Sequence, residues 1–504
     1  MASSGFVELE RKYDVDDHSP LPPLHELPGV SRVEQPVEHQ LEAVYFDTED
    51  LLLASRGISL RRRTGGEDAG WHLKMPAAGG RREFHEPLGD HAGNVPAPLL
   101  QLVRVHVRDR ILVPVARLQT RRVVHRLRGP GDVHLADMSD DHVQARSPVT
   151  GAVGARWREW ELELADGRPE LLDAGEDLFA GAGIRPAAHE SKLRRALGSR
   201  PVPAVAAAPQ PRRKGPAAAV VLAYLDQQVR ALKEQDPLVR QDAEDSVHQM
   251  RLATRRLRSA LATYRKLLEP DTAGRLRSEL RWLAHVLGDA RDAAVMQERV
   301  AGMLESEDAD LVMGPVSRRL EIDLGQSSRD ARAAVLRALD EERYFRLLDA
   351  LDALLADPPL TKLGSQPARK VVPKLVQRDL KRLKRAVKAA RRAPAGENPD
   401  LLLHEARKCA KRLRYAAEAA ASVAPKQARR LADAAHEVQD ILGGHQDSVV
   451  ARQLLRRLGA ESFGLGENGF TYGRLHALEE AGAADSAARF RQAWKNFPAA
   501  ALVK

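Results

Sequence analysis

The sequence predicts an α+β chain of two domains, a mostly antiparallel β domain followed by an all-α domain. Three observations predict it. Before residue 199, short stretches alternate apolar and polar residues between glycine-rich breaks such as TGGEDAG (64–70) and GPGD (129–132), the pattern of half-buried strands and turns. After residue 216, apolar residues recur at steps of three and four, the period of one helix face. Between the two, SRPVPAVAAAPQPRRKGP (199–216) holds five prolines in eighteen residues; such a segment cannot propagate a helix and has little to bury. The expected organisation is a β domain over 1–198, a semi-extended linker over 199–216 and a helical domain over 217–504.

A chain of 504 residues has room for two or more domains, and 43% hydrophobic residues suffice for proper cores. One cysteine, Cys409, rules out an internal disulfide, and nothing points to an oxidising compartment. The opening MASSGFVELE has neither a basic nor an apolar signal region. No run of about 18 apolar residues occurs, so a cytoplasmic protein that does not cross a membrane is expected. The charge is uneven. Residues 1–200 hold 27 Lys/Arg and 31 Asp/Glu, a net of −4, whereas residues 201–504 hold 52 and 39, a net of +13. That asymmetry assigns the second domain an anionic partner.

The first candidate strand, FVELERKYDV (6–15), sets Val7, Leu9 and Arg11 on one face and Glu8, Glu10 and Lys12 on the other. Alone, it reads as a half-buried strand with its polar face in water. It is not alone. ISLRRR (58–63) puts Arg61 and Arg63 together. WHLKM (71–75) sets Lys74 opposite Trp71, Leu73 and Met75. TRRVVHRL (120–127) joins Arg122 and Arg126, and EWELELA (159–165) sets Glu161 and Glu163 opposite Trp160, Leu162 and Leu164. Helical patches near 95–110 and 170–183 are available to cover the tryptophans. Two architectures fit: charges in water over an apolar core, or a closed barrel with a charged lumen. Carboxylates and cations buried together cost on the order of several kcal/mol each unless paired or coordinating metal. A lumen ligand would justify them, with carboxylates on a divalent cation and basic groups on phosphates.

In order along the chain, ELERK (8–12), YFDT (45–48), ISLRRR, WHLK, RRE (81–83), TRR (120–122), ELEL (161–164) and SKLRR (191–195) resemble the CYTH domains, the triphosphate tunnel metalloenzymes, over about residues 3–198. The resemblance implies an eight-stranded antiparallel β-barrel tunnel with flanking helices that binds triphosphate groups with Mg²⁺ or Mn²⁺. It implies a metal site of Glu8, Glu10, Glu161 and Glu163, with Asp137 of LADMSD as a looser acidic match. Lys12, Arg61, Arg63, Lys74 and Arg122 would hold phosphate oxygens, Lys192 would close over the substrate, and catalysis would centre on Glu8, Glu10 and Lys12. Asp137 shares parity with Val133 and Leu135, so it needs a bulge or a strand end to face inward. The roles of Arg82 and Glu83 stay open, and Arg126 equally fits a solvated strand charge. In the implied chemistry, cations and metal neutralise a phosphate chain that otherwise repels a nucleophile, and water attacks the terminal phosphorus in line. Hydrolysis of tripolyphosphate to diphosphate and phosphate is the smallest such reaction.

In the helical half, Met250, Thr254, Leu257, Leu261, Tyr264 and Leu268 form one apolar stripe, and Val376, Leu380, Leu383 and Val387 form another. HQMRLATRRLR (248–258) aligns with HEARKCAKRLR (404–414): His248 with His404, Arg251 with Arg407, Arg255 with Lys411 and Arg258 with Arg414. LGDARDAAV from Leu287 and LGGHQDSVV from Leu442 follow at nearly the same offset. This is an internal duplication, with repeats at about 217–360 and 365–500. In each copy the histidine and three cations step by 3, 4 and 3, so they share a helix face. A further stripe runs through Arg378, Lys381, Arg385, Lys388 and Arg392, and residues 365–430 hold 19 Lys/Arg against 5 Asp/Glu, a density suited to a polyanion.

These paired helices resemble the CHAD family, the conserved-histidine α-helical domain, over about residues 217–500. The resemblance implies two pseudo-symmetric four-helix bundles around a basic channel that binds inorganic polyphosphate. His248 and His404 would line it. Arg251, Arg255, Arg258, Arg407, Lys411 and Arg414 would contact phosphate, with Arg378, Lys381, Arg385 and Lys388 as further contacts. The histidines equally fit buried groups bonded to a carboxylate. Binders of nucleic acid without groove-reading motifs add aromatic platforms. The chain is 4% aromatic, with only Tyr264 and Tyr415 near the stripes, so nucleic acid is expected only as a nonspecific partner. Zinc-ligand spacing is missing. The expectation is a cytoplasmic, metal-dependent inorganic triphosphatase with a tethered polyphosphate-binding domain. Its rivals are a non-catalytic, granule-associated polyphosphate binder and a CYTH enzyme acting on thiamine triphosphate or a nucleotide.

Overall fold

A computed structural model describes residues 6–77, 80–89, 93–146, 153–189, 191–198, 200, 202, 210–392, 397–500 and 502. The chain divides into two compact units, Met1–Val205 and Ala206–Lys504. Much of the expected linker, residues 199, 201 and 203–209, lies outside the described residues.

The first unit is a curled antiparallel sheet of β1 (Phe6–Glu8), β2 (Glu10–Val15), β3 (Arg32–Val33), β4 (Val37–Asp47), β5 (Ser59–Thr64), β6 (Gly70–Ala77), β7 (Gly80–Glu86), β8 (Val113–Arg128), β9 (His134–Arg146), β10 (Val153–Leu164) and β11 (Arg185–Pro186). Their order is β1-β7-β6-β5-β4-β8-β9-β10-β2-β11, with β3 beside β8. β1 and β2 are one strand interrupted at Leu9. Its start pairs with β7, Glu8 opposite Arg81, and its remainder pairs with β10, Lys12 opposite Glu161. The succession of ladders therefore returns to the strand where it began. Eleven described strands replace the expected eight, because the opening strand is split in two and the two-residue strands β3 and β11 are added.

Directly opposed residues of an antiparallel pair share a face. Arg61 opposes His72, Glu10 opposes Glu163, and Glu161 opposes both Lys12 and Ser139. The charged sets of separate strands thus fall on one concave face. The other face is apolar and covered by helices. Leu60, Trp71 and Leu73 pack with Leu99, Leu102 and Val103 of α1 (Ala97–Val107), while Tyr13, Trp160 and Leu162 pack with Leu171, Leu172 and Phe179 of α2 (Glu170–Gly181). Burying each large side chain contributes about 1.5–3 kcal/mol, so the apolar faces go outward under helices and the charges go inward. The TGGEDAG break is a tight turn: Gly65 has φ +80°, and a Cβ there would lie 2.0 Å from the Gln40 carbonyl oxygen, a conformation and an approach that only glycine tolerates.

α3 (Lys192–Leu197) starts at Ser191, whose hydroxyl accepts from the Arg194 N–H. Leu193 and Leu197 pack on Tyr45, Val143 and Trp157. Tyr45 opposes Arg61, and Trp157 lies two residues before Glu159 on the concave face. α3 therefore stops one end of the lumen with an apolar plug, and Lys192 is its innermost charge.

The second unit is all helical: α4 (Ala217–Arg240), α5 (Ser246–Thr263), α6 (Pro270–Glu305), α7 (Val316–Asp340), α8 (Glu342–Ala356), α9 (Ala368–Arg391), α10 (Pro399–Ala419), α11 (Pro425–Gly464) and α12 (Phe470–Lys495). By the repeat, α4 to α7 correspond to α9 to α12. Among the described residues the first half also holds α8, which makes five helices there against the expected four. The stripe from Met250 to Leu268 and that from Val376 to Val387 are buried. α5 crosses α10, where Tyr264 Oη donates to the Ala416 carbonyl at 2.7 Å. The long α6–α7 and α11–α12 hairpins share a core around Val300, Leu320, Leu455 and Tyr472.

Candidate functional site

The lumen is a cavity of about 390 Å³ lined by both signs of charge. Lys74 Nζ donates to Glu8 Oε1 at 2.6 Å and lies 3.4 Å from Glu83, whose other oxygen is 2.8 Å from His72 Nδ1. Lys12 lies between Glu10, at 2.9 Å, and Glu161. Arg122 forks onto Asp141 at 2.7 and 2.6 Å and reaches Glu161 at 2.5 Å. Lys192 Nζ lies 2.8 Å from Asp141 and 2.7 Å from both Glu159 and Glu161. Burial works to raise the Glu161 pKa, but Lys12, Lys192 and Arg122 outweigh it and hold the carboxyl well below the usual range.

Two sets of groups escape this pairing. Among the described residues Glu163 has no cation bonded to it; burial, and then Glu8, push its carboxyl up to about 8. Carboxylate oxygens of Glu8, Glu10 and Glu163 lie within 4.8 Å of one another. On the other side, Arg61 reaches only the Tyr45 hydroxyl, at 3.5 Å, and its Nε is buried without a partner. Arg63 pairs with Asp68 of the β5–β6 turn, while burial and its neighbours Arg61 and Arg122 disfavour its charge. The lumen thus leaves Glu163 without a cation on one side and Arg61 without a carboxylate on the other. Glu8, Glu10 and Glu163 suit a hard divalent cation that completes its shell with water and phosphate oxygens. Asp141, Glu159 and Glu161 also converge, but the Lys192 ammonium already occupies that cluster.

Most sequence-selected residues meet here: Glu8, Glu10, Lys12, Arg61, Arg63, Lys74, Arg122, Glu161, Glu163 and Lys192 all line the cavity. Asp137 does not join them. A register shift between Leu127 and Arg128 marks the required bulge, and Asp137 comes to oppose Glu163. Its carboxylate, however, lies 2.7 Å from His134 Nε2, outside both carboxylate clusters. Arg126 pairs with Glu67 at 2.7 Å in an exposed position. Sequence reasoning missed Asp141, Glu159, His72 and the partners of Glu83. Glu159 and His72 were legible, since each lies two residues from a selected group on the same face; Asp141 was hidden behind the bulge.

In the helical unit, α5 and α10 bring Arg251, Arg255, Arg407 and Lys411 together. Burial, then Arg407, Arg255 and Arg251, push the Lys411 ammonium down to about 6. Arg255 Nε donates to Tyr415 Oη at 2.9 Å, and Arg251 lies 3.2 Å from Asp292. His248 Nδ1 is buried without a partner, and His404 Nδ1 is 2.7 Å from Gln446 Oε1; among the described residues neither histidine bonds a carboxylate. Arg258 clusters with Arg277 and Arg281. Arg414 is drawn aside to Glu418 at 2.8 Å and His436 at 3.0 Å. The stripe of Arg378, Lys381, Arg385 and Lys388 lies on the exposed face of α9, opposite the buried Val376, Leu380, Leu383 and Val387, and the structure does not bring it to the α5–α10 cluster.

No helix among the described residues is long and apolar enough to cross a membrane. The CYTH domain model matches residues 7–197 and the CHAD domain model residues 223–456. An uncharacterized protein of Mycobacterium tuberculosis, the same in two strains, is 41% identical over 503 residues, covering 96% of this chain and 94% of the relative. Among solved structures, the CHAD domain from the plant Ricinus communis is 27% identical with a TM-score of 0.48, covering 60% of this chain and 99% of that one. HpAC1 from Hippeastrum, described as an adenylyl cyclase that reveals a dominant triphosphatase activity, is 19% identical with a TM-score of 0.24, covering 39% of this chain and 98% of that one. The chain belongs to the CYTH family, whose members are metal-dependent triphosphate tunnel enzymes, and carries a CHAD domain behind its CYTH domain.

Proposed function

We propose that the chain is a metal-dependent inorganic triphosphatase whose helical domain binds polyphosphate. The observation that carries this reading is the division of the lumen, with Glu163 bare of any cation in the trio of Glu8, Glu10 and Glu163 on one side and Arg61 facing only the Tyr45 hydroxyl on the other, among the described residues. A phosphate chain with a divalent cation answers both deficits at once. Mg²⁺ or Mn²⁺ held by that trio would supply charge neutralisation at the terminal phosphate. Arg61, Arg63, Lys74 and Arg122 bind and orient phosphate oxygens, the Arg122 fork being pre-set by Asp141. Lys12, pinned between Glu10 and Glu161, presents a fixed ammonium to the chain. The apolar packing of α3 across one end of the lumen favours chain ends and short chains. Among the described residues no tryptophan or phenylalanine lines the cavity, and the Tyr45 ring is packed in the plug, so beside its charges the lining offers a ring ligand only the His72 and His85 imidazoles, which favours phosphate over a nucleobase or thiazolium.

The test is phosphate release from tripolyphosphate, thiamine triphosphate and ATP with Mg²⁺ or Mn²⁺, wild type beside Glu10→Gln and Lys12→Ala. The proposal expects tripolyphosphate to be preferred and both substitutions to remove its hydrolysis. A wild type inert on all three that still retains long-chain polyphosphate would make the protein a binder instead.

A further inference from the structure

The two repeats of the helical unit fold alike, so features present in one and missing from the other are not required by the fold. Three such features converge on one place. On α6, beside Arg258, stand Arg277, Arg281 and Trp282; at the repeat offset of the LGD and LGG motifs, α11 carries Ala432, His436 and Glu437. Arg343 of α8 lies over the Trp282 ring, 4.4 Å from guanidinium carbon to centroid, held there by Glu279 at 2.6 Å. Arg258, Arg281, Trp282 and Arg343 line a common cavity of about 630 Å³.

The cavity is short of negative charge. Among the described residues Arg258 and Arg281 have no carboxylate partner, and Arg277 Nε is buried with no hydrogen bond. Five arginines line the cavity (Arg251, Arg255, Arg258, Arg281 and Arg343) against two carboxylates, Asp292, 3.2 Å from Arg251, and Asp289, 3.5 Å from His285. Burial, then Arg281, Arg255 and Arg277, disfavour the charge on Arg258. Converging unpaired guanidinium groups suit a polyanion. An indole faced by a tethered guanidinium adds a flat, apolar and cationic surface, on which planar rings stack. Inorganic phosphate has no ring to use it.

We propose that this cavity is a nucleotide site, in which Arg258 and Arg281 hold the phosphates of a nucleoside polyphosphate and the Trp282–Arg343 pair holds its base. The volume is of the order of small-molecule sites, roughly 300–1,000 Å³. The test uses the full-length chain in EDTA, photolabelled with 8-azido-ATP, with labelled peptides mapped by mass spectrometry and ATP and tripolyphosphate as competitors. The expected result is label on α6 and the start of α8, displaced about tenfold more effectively by ATP than by tripolyphosphate, in keeping with base–aromatic stacking. Trp282→Leu removes the advantage of ATP and leaves displacement by tripolyphosphate unchanged, while Arg281→Ala weakens both. Label absent, or confined to peptides of the lumen, overturns the proposal. So does equal displacement by the two competitors, which would mean a seat for phosphate alone, or an ATP advantage that survives in Trp282→Leu. A melting curve checks that this variant folds, and the wild-type mapping and competition decide the matter if it does not.

Discussion

The lumen of the β unit and the α5–α10 cleft both suit phosphate, but by opposite use of charge. In the lumen almost every cation has a carboxylate within hydrogen-bonding distance: Lys12, Lys74, Arg122 and Lys192 are all tied. In the cleft Arg251, Arg255, Arg407 and Lys411 face one another, with Asp292 and Asp447 at the margin. A balanced lumen repels a bare polyanion with its carboxylates as much as it attracts it, so a phosphate chain fits only together with a cation. A cleft of one sign needs no such mediator, and its free energy comes from counterion release.

The largest effect is expected at Glu163. Glu163→Gln removes one of three candidate metal ligands, so metal-dependent phosphate release should fall by about 100-fold or more, while retention of long-chain polyphosphate stays unchanged. An equal loss of both functions would erase the contrast between the two regions.

Next comes the cleft. Arg251→Ala combined with Arg407→Ala should weaken polyphosphate binding by about 10- to 100-fold, and the slope of affinity against salt should fall by about two. Phosphate release in the lumen should stay at the wild-type rate, and titration at three salt concentrations reads the slope.

Lys411 gives a smaller, pH-dependent effect. Its ammonium is pushed down to about 6, so at pH 7–8 a bound polyanion must restore a proton. Affinity should therefore decline as pH rises above about 6, with proton uptake visible by calorimetry in buffers of different ionisation enthalpy. An arginine cannot lose its proton, so Lys411→Arg should flatten the profile and bind about tenfold tighter at pH 8. A variant that keeps the wild-type profile would assign the pH dependence elsewhere.

The smallest effect is on stability. The folded pKa of Glu163 is raised from 4.5 to about 8, so its contribution to stability is fully present below about pH 4.5 and is lost as pH rises through about 8. Metal-free Glu163→Gln should melt a few degrees above wild type at pH 8.5, and the gap should close toward pH 4.5. A constant gap across that range would refute the raised pKa.

Much of the site was legible because strand alternation has a period of two. In ELERK, ISLRRR, WHLKM and ELEL alternation put the selected charges on the concave face, with Arg11 and Arg62 left on the apolar one, and Trp71 and Trp160 went under helices as their bulk required. The rest was lost where a count of two fails. The bulge near Leu135 reverses parity in β9 and turns Asp137 and Asp141 alike to the concave face; resemblance pointed to Asp137, and nothing in the alternation pointed to Asp141. In the helical half, spacing showed which residues share a face of one helix but not what that face meets. The α9 stripe has the same arithmetic as those of α5 and α10, yet it lies on the exposed face. Trp282 escaped notice because it lies on α6 rather than on a basic stripe, and only the fold brings it beside Arg258.

The two regions are expected to differ most in their need for metal. Phosphate release from tripolyphosphate and retention of long-chain polyphosphate should be measured on the same samples, with Mg²⁺ or Mn²⁺ and then with EDTA. Release is expected only with metal, and retention in both conditions. Release that persists in EDTA, or retention that disappears there, would contradict it.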